Sequence, residues 1–181
     1  MILTVTLNAA VDRTLVVPSL SVGHRHRASE SVTLAGGKGI NVARGLRTLG
    51  APVLATGFAG GRNGDAIRDG LSEAAIPFDF VEIEGYSRTS TAIIDPMAGS
   101  QTEINEYGPD VSPAEAREFS RRLEYLMEYA TAVVFAGSVR RTWTRHSWSA
   151  SCSARGSAAS TRWWTRPLRS SGRRSRPPPR S

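Results

Sequence analysis

The order of apolar runs and helical patterns limits the fold of residues 1–138 more than any other feature of the sequence. Residues 2–7 form a short β-branched run that predicts a buried strand. A helical pattern follows at residues 40–49, then an apolar run at 53–57 and a second helical pattern at 64–75. This alternation of strand and helix is typical of an open parallel sheet that helices cover on both faces.

Two further pairs of segments alternate polar and apolar residues. The first pair is residues 14–17 and 27–34, and the second pair is residues 91–95 and 102–105. Such alternation is typical of strands that are buried on one face and exposed on the other. We therefore predict two half-exposed β-hairpins in addition to the parallel sheet.

A third helix is predicted directly after Ser112. Ser112 and Glu115 have the spacing of a capping box, and Pro113 stands at the first helical position. Apolar residues follow on one helical face, and residues 132–136 then predict another buried strand. Up to Ser138 the local signals agree with each other and with one α/β fold.

Charge is divided unevenly along the chain. All sixteen acidic residues lie between Asp12 and Glu128, whereas eleven of the twenty-three basic residues follow Val139. Residues 1–138 hold the other twelve basic residues, so their net charge is −4, and the remaining residues carry +11. The formal net charge of +7 therefore describes the tail and does not indicate that the folded part binds nucleic acid.

The sequence predicts no membrane segment, no disulfide and no metal site. No signal-peptide pattern opens it, and no apolar run approaches the roughly 20 residues that span a bilayer, so we expect a soluble, cytoplasmic protein. Cys152 is the single cysteine, which excludes an internal disulfide. His24 and His26 have weak metal-ligand spacing, so we interpret them as solvated side chains and expect no metal site.

A glycine-rich turn opens the first predicted helix. Residues 35–41 read Ala-Gly-Gly-Lys-Gly-Ile-Asn, at a place where unpaired backbone N–H groups and the helix dipole favour an anion. The turn is not a Walker loop, because Lys38 is followed by Gly39 and not by Ser or Thr. It predicts a site for a phosphate or a hydroxyl-rich ligand, or else only a tight connection.

These glycines and four other segments resemble the PfkB family of sugar kinases, which has the ribokinase-like fold. The family's first signature is matched by seven residues: Gly36, Gly37, Gly39, Asn41, Ala43, Gly50 and Gly60. The phosphofructokinase branch is similar to the segments TLNAAVDRT (6–14), GFAGGRNG (57–64), TEINEYGP (102–109) and FAGS (135–138). Relatives usually have Asn-Pro-Ala at positions 8–10, where this chain has Asn-Ala-Ala, and alanine allows the same backbone path.

The resemblance implies a doubly wound α/β domain with a small β-sheet lid. Residues 1–138 would be the N-terminal part of this domain, with lid strands near residues 14–34 and 89–105. In the family the lid closes over the sugar and often forms the contact between subunits. A homodimer through the lid is therefore expected.

The resemblance also implies which residues bind the sugar. Asp12 resembles the residue that hydrogen-bonds the sugar hydroxyls, and Gly37 and Asn41 resemble the backbone and amide contacts to the sugar. Without the family, Asp12 would be interpreted as a loop carboxylate and Asn41 as a capping residue in the first turn of a helix.

Two more residues resemble the groups that hold the phosphate already present on the substrate. Arg88 would supply a guanidinium fork and Ser138 a hydroxyl, and Lys38 is expected to add a second cation. Arg25 and Arg27 lie on a predicted lid strand, where some relatives send a basic residue into the neighbouring subunit's site. A solvated strand face is the alternative for these two arginines.

Residues 139–181 depart from the family and contain no acidic residue. Relatives continue after Gly-Ser with Leu-Pro-Arg-Gly, a helix and a strand that ends in Asp-Thr-Ser. A shifted reading frame explains the difference. Trp has only the codon TGG, so the codons of Trp163-Trp164-Thr165 permit Val-Val-Asp when they are read from one base earlier. The next codons in that frame permit Thr-Ser, which gives the Val-Val-Asp-Thr-Ser of the family. We expect the Arg-, Ser-, Trp- and Pro-rich tail to be disordered, because it cannot bury enough apolar surface.

The function implied by the resemblance is phosphorylation of a ketohexose phosphate with ATP and Mg²⁺. Fructose 1-phosphate is the expected substrate, and tagatose 6-phosphate and fructose 6-phosphate are the alternatives. The family's catalytic base is an aspartate in a Gly-x-Gly-Asp motif in the last third of the chain, and no acidic residue follows Glu128 here. We therefore expect this chain to be inactive and to hold no catalytic, nucleotide-binding or metal-binding residue.

Two other classes of function stay open. The arginines and four tryptophans of the tail would allow binding of single-stranded nucleic acid by charge and stacking. The second alternative is a sensor that binds a sugar phosphate without catalysis.

Overall fold

The computed structural model describes residues 1–139, which form eight strands and three helices. In chain order the elements are β1 (Ile2–Thr6), β2 (Ala10–Val16), β3 (Glu30–Gly36), α1 (Lys38–Thr48), β4 (Val53–Ala59), α2 (Gly61–Glu73), β5 (Phe78–Glu82), β6 (Arg88–Asp95), β7 (Ser100–Asn105), α3 (Pro113–Glu128) and β8 (Ala132–Phe135). Our sequence predictions for residues 140–181 lie outside the described part of the chain.

Four parallel strands form the main sheet, in the order β5-β4-β1-β8. β1 lies inside this sheet, and its residues from Leu3 to Thr6 are buried. A short β-branched run that is buried on both faces suits such a position. Within residues 1–139, β8 forms one edge of the sheet and β5 the other.

Helices cover both faces of the main sheet. α1 and α2 pack on one face, where Ile40, Ile67 and Leu71 are fully buried. α3 packs on the other face, where the ring centroids of Phe119 and Phe58 lie 4.7 Å apart. The two hydrophobic clusters on opposite faces confirm the predicted doubly wound arrangement.

The other four strands form the lid, in the order β3-β2-β6-β7. It consists of two antiparallel hairpins, β2–β3 and β6–β7, which are joined by parallel pairing of β2 with β6. Both hairpins were expected from the sequence. β2, β6 and β7 begin two to four residues earlier than expected, whereas β3 was expected at residues 27–34 and lies at Glu30–Gly36. The pairing aligns Asp12, Ser90 and Asn105 in one row across the lid.

Asp95 connects the two loops at the far end of the lid. Its carboxylate accepts hydrogen bonds from the backbone N–H groups of Ser19 (3.0 Å), Leu20 (2.9 Å), Met97 (3.0 Å) and Ala98 (3.3 Å). Burial opposes ionisation of Asp95, but these donors outweigh it and lower the pKa of the carboxyl. Asp95 therefore holds the loop after β2 against the turn between β6 and β7.

The start of α3 confirms the predicted capping box. The Ser112 hydroxyl accepts from the backbone N–H of Glu115 at 3.3 Å, and the Glu115 carboxylate accepts from the backbone N–H of Ser112 at 2.6 Å. The same carboxylate accepts from the backbone N–H of Glu84 at 2.7 Å. Glu115 therefore both begins α3 and ties it to the segment that follows β5.

Two sequence expectations differ from the structure. β5 has no counterpart among the predicted strands, because only Phe80 and Val81 of its five residues are buried and its apolar pattern is short. Arg25 and Arg27 do not lie on a lid strand. β2 ends where Val16 pairs with Glu30, so residues 17–29 form an exposed loop that carries both arginines.

None of the three helices within residues 1–139 is long and apolar enough to cross a membrane.

Candidate functional site

A cleft of about 1020 Å³ lies between the lid and the carboxyl ends of β1 and β8. Open α/β sheets bind their ligands at this end of the strands. The six residues predicted to bind substrate come from four separate segments of the chain, and all of them line the cleft: Asp12, Gly37, Lys38, Asn41, Arg88 and Ser138.

Asp12 projects from lid strand β2 toward the start of α1. Its carboxylate lies so close to Gly36 that any Cβ at that position would overlap it. Burial raises the pKa of the Asp12 carboxyl above its usual value, while the Arg88 guanidinium, the Gly37 N–H and the Arg44 guanidinium act in the opposite direction. A half-buried carboxylate of this kind suits hydrogen bonds from sugar hydroxyls.

The start of α1 forms the floor of the cleft. Gly37 precedes the helix with φ of 107°, and a Cβ there would come within 2.8 Å of the Thr6 side chain. Glycine is therefore required both for the backbone conformation and for the close approach of α1 to β1. The Asn41 amide oxygen accepts from the Arg44 guanidinium at 2.9 Å, which leaves the Asn41 amide NH₂ group in the cleft.

Arg88 and Ser138 also line the cleft, and Asn8 contacts both of them. The Arg88 Nε donates to the backbone carbonyl of Asn8 at 3.4 Å, and the Asn8 side-chain amide donates to the Ser138 hydroxyl at 3.0 Å. Arg88 is the first residue of β6, and Ser138 follows β8 after Gly137. The lid and the main sheet thus meet at Asn8.

Lid strand β7 and the residues after it supply a polar rim that our site prediction lacks. The lining residues are Glu103, Asn105, Glu106, Tyr107 and Asp110. Two hydrogen bonds from β6 hold residues of this rim in place. The Ser90 hydroxyl donates to the Asn105 side chain at 2.5 Å, and the Thr89 N–H donates to the Glu106 carboxylate at 2.7 Å. The matched segment at residues 102–109 was the available signal for these residues.

The charges of the cleft favour a ligand that carries both hydroxyls and an anion. Among the described lining residues, the carboxylates are Asp12, Glu103, Glu106 and Asp110, and the cations are Lys38 and Arg88. Carboxylates accept hydrogen bonds from hydroxyls, and a guanidinium pairs with a phosphate.

The part of the chain that the structure describes holds no preformed cluster of metal ligands. Residues 1–139 contain no group of three or more His, Cys, Asp or Glu side chains that could hold a metal ion. Mg²⁺ at phosphoryl-transfer sites is held by carboxylates together with substrate phosphates. We therefore derive no chemical step that involves the nucleotide from this part of the chain.

Comparison with known proteins places these features in a family. The family model described as pfkB family carbohydrate kinase matches residues 3–161. The chain belongs to the PfkB family. The match continues past Ser138, and its last part lies beyond the residues that the structure describes.

Solved structures of phosphofructokinases have the same fold. A protein from Thermotoga maritima described as a possible 1-phosphofructokinase is 37% identical, with a TM-score of 0.75 over 80% of this chain and 47% of that one. Phosphofructokinase-2 from Escherichia coli in complex with fructose-6-phosphate is 25% identical, with a TM-score of 0.79 over 84% of this chain and 50% of that one. The tetrameric inhibited form of the same enzyme gives a TM-score of 0.78 at 25% identity, over 84% of this chain and 50% of that one. This PfkB chain spans about half the length of the solved structures that it matches.

Proposed function

We propose that the cleft binds a phosphorylated ketohexose and that the kinase represented by residues 1–138 transfers the γ-phosphate of ATP to it. The expected acceptor is fructose 1-phosphate. Its 6-hydroxyl gives its proton to a basic group and forms the new bond to the γ-phosphorus, the bond from that phosphorus to the bridging oxygen of ADP breaks, and fructose 1,6-bisphosphate and ADP result. Tagatose 6-phosphate and fructose 6-phosphate are the alternative acceptors.

One observation carries the proposal: a half-buried carboxylate, a glycine-rich helix start and a guanidinium meet in one cleft although they are distant in sequence. Asp12 and Asn41 are placed to hydrogen-bond hydroxyls near the start of α1. Arg88 and Ser138 line the same cleft, where a guanidinium and a hydroxyl can hold a phosphate. Together these groups support a ligand that carries both hydroxyls and a phosphate.

The helix dipole of α1 adds to this arrangement. Lys38 and Gly39 begin an eleven-residue helix whose first turn contains no acidic residue, and the Asp12 carboxylate of β2 accepts from the Gly37 N–H just before it. Lys38 is exposed and lines the cleft. We propose that Lys38 and the backbone N–H groups beside it favour the negative charge of the substrate.

We also propose that a polypeptide of these 181 residues binds substrate but does not phosphorylate it. Phosphoryl transfer needs a group that accepts the proton of the attacking hydroxyl, and the resemblance assigns this role to an aspartate in a Gly-x-Gly-Asp motif, which does not occur among these residues. A shifted reading frame after Ser138 accounts for this. Sequencing the gene across codons 136–145 tests the shift directly.

An assay of ADP release tests the proposed reaction. We expect no release above background from the 181-residue chain with any of the three ketohexose phosphates. A chain in which the frame is restored after Ser138 is expected to release ADP with fructose 1-phosphate and to lose this activity in the Asp12→Asn variant. Turnover by the purified 181-residue chain, or a restored chain that phosphorylates none of the three sugars, contradicts the proposal.

Further proposals concern assembly and location. The chain is similar to a phosphofructokinase that has a tetrameric form, and Val32 and Leu34 are exposed on β3, which is an edge strand of the lid. We propose that the lid forms a homodimer contact, which sedimentation analysis of a Leu34→Asp variant tests. A kinase that uses ATP and sugar phosphates would act in the cytoplasm.

A further inference from the structure

We propose that Asn8 is the positioning residue that sets the spacing between Arg88 and Ser138 in the cleft. This inference rests on the proposed function, because it assigns a role within the same site. It concerns a residue that contacts the two phosphate-binding candidates and that sequence reasoning did not include in the site.

Asn8 connects three segments that are far apart in the chain. Its side-chain amide donates to the Ser138 hydroxyl at 3.0 Å and to the backbone carbonyl of Tyr107 at 3.3 Å. Its backbone carbonyl accepts from Arg88 Nε at 3.4 Å. One residue at the end of β1 thereby holds the segment after β8, the segment after β7 and the first residue of β6.

The environment of Asn8 fixes the orientation of its side chain. Gly108 has φ of 79°, and a Cβ at this position would overlap the Asn8 amide oxygen and lie 3.3 Å from Arg88 Cδ. Only a glycine at position 108 leaves room for both side chains. Because the amide oxygen faces Gly108, the amide NH₂ group faces Ser138 and Tyr107, and Asn8 donates to both of them.

This arrangement matters for affinity, because phosphate binding depends on donors that are held in place before the ligand arrives. Ser138 is exposed and follows Gly137, whose φ of 108° belongs to a flexible residue type. Arg88 belongs to the lid and Ser138 to the main sheet, so neither holds the other. Without the Asn8 amide, the two phosphate-binding groups would have to be ordered by the ligand, at a cost in binding free energy.

Amide hydrogen exchange of the 181-residue chain without ligand tests the connection itself. In the Asn8→Ala variant we expect faster exchange in two separate segments, 105–110 and 136–139, and unchanged exchange in β4. Asn8→Asp, which keeps the side-chain volume but cannot donate to Tyr107, should give the same pattern. Thr131→Ala is the control, since the Thr131 hydroxyl donates to the backbone carbonyl of Met1 at 3.2 Å, joins two segments that are distant in the chain and does not line the cleft.

Calorimetry with fructose 1-phosphate and with fructose tests the consequence for binding. Asn8→Ala should weaken binding of fructose 1-phosphate by on the order of fivefold to tenfold, the size expected for one or two lost hydrogen bonds, and leave fructose unaffected. Because Asn8 acts through Arg88 as well as Ser138, its effect should shrink when Arg88 is already alanine. Thr131→Ala should leave the preference for the phosphorylated sugar unchanged.

The possible failures are distinguishable. Unchanged exchange in both segments overturns the inference, and so does an equal loss of affinity for fructose and fructose 1-phosphate. Fully additive effects of Asn8→Ala and Arg88→Ala overturn it as well. If the unmodified chain does not prefer fructose 1-phosphate to fructose, the proposed function fails, and the exchange measurement alone then decides whether Asn8 holds the two segments.

Discussion

The carboxylate of Asp12 occupies the space that a side chain at Gly36 would fill. Asp12 lies on β2 and pairs with Leu34, and Gly36 ends β3 two residues further on, so Asp12 and Gly36 are diagonal neighbours on one face of the hairpin, close to the start of α1. The position of the carboxylate in the cleft therefore depends on a neighbouring residue that offers no functional group of its own.

The first prediction uses this relationship. In Gly36→Ala, the new methyl group should displace the Asp12 carboxylate and lower the affinity for fructose 1-phosphate by on the order of tenfold, because a hydrogen bond to a charged group is lost. Gly45→Ala is the matched control: nothing lies within 4 Å of a Cβ at this exposed position of α1. It should leave affinity unchanged and raise the free energy of unfolding by about 0.5–1 kcal/mol. Calorimetry and denaturant unfolding measure the two quantities, and equal affinities for both variants would argue against the role of Asp12.

The second prediction concerns pH. Because burial raises the pKa of Asp12, sugar affinity should begin to fall at a higher pH than the usual aspartate value of about 3.9, as the carboxylate becomes protonated. The raised pKa also means that the contribution of Asp12 to folding stability is largest at low pH and is lost as pH rises through the folded-state value. Acid loss of binding would therefore not arise from a destabilising effect of Asp12 on the fold. Titrations with fructose 1-phosphate at several pH values should show this loss of affinity in the unmodified chain and not in Asp12→Asn. Parallel curves of affinity against pH for the two proteins would refute the prediction.

The third prediction separates phosphate recognition from sugar recognition. Arg88→Ala should weaken binding of fructose 1-phosphate by tenfold or more and leave fructose binding nearly unchanged, since a charge-assisted hydrogen bond contributes about 1.5–3 kcal/mol. Arg13→Ala is the control, because Arg13 is an exposed arginine on lid strand β2 that does not line the cleft. Competition titrations with both sugars distinguish the variants. A similar loss in Arg13→Ala would indicate a general effect of positive charge.

The fourth prediction concerns stability. Ser112→Ala removes the hydroxyl that accepts from the Glu115 N–H at the start of α3, and it should lower the free energy of unfolding by about 1 kcal/mol. Ser72→Ala, an exposed serine near the end of α2, should change the free energy by less than about 0.5 kcal/mol. Urea unfolding followed by circular dichroism compares the two. Equal effects would show that the capping box does not stabilise α3.

Much of the fold could be predicted because its signals are local. The capping box at Ser112 marks the start of α3 from sequence alone, and the alternating segments mark the two hairpins of the lid. The start of α2 was predicted at Gly64 but lies at Gly61, since Gly60 caps the helix without any side-chain hydrogen bond and so leaves no signal in the sequence. The parallel pairing of β2 with β6 joins segments more than 70 residues apart, and local patterns carry no information on such contacts.

The residues of the candidate site likewise fall into two groups, those that the sequence could indicate and those that only the tertiary structure reveals. Asp12 and Asn41 could be selected because they fall within segments that resemble a known family, and Arg88 because it resembles a phosphate-holding group of that family; the structure brings the three into one cleft. Asn8 lies in one of those segments too, but its contacts with Tyr107 and Ser138 depend on the tertiary structure. A residue that acts by holding other residues has no pattern of its own in the sequence.

The central claim is that this cleft recognises a phosphorylated ketohexose, and the difference in affinity between fructose 1-phosphate and fructose tests it most directly. The measurement is a calorimetric titration of the purified 181-residue chain with each sugar, under the same buffer conditions. We predict that fructose 1-phosphate binds at least tenfold more tightly than fructose, because the phosphate adds charge-assisted hydrogen bonds at Arg88. Equal affinities for the two sugars, or no binding of fructose 1-phosphate, would contradict the account.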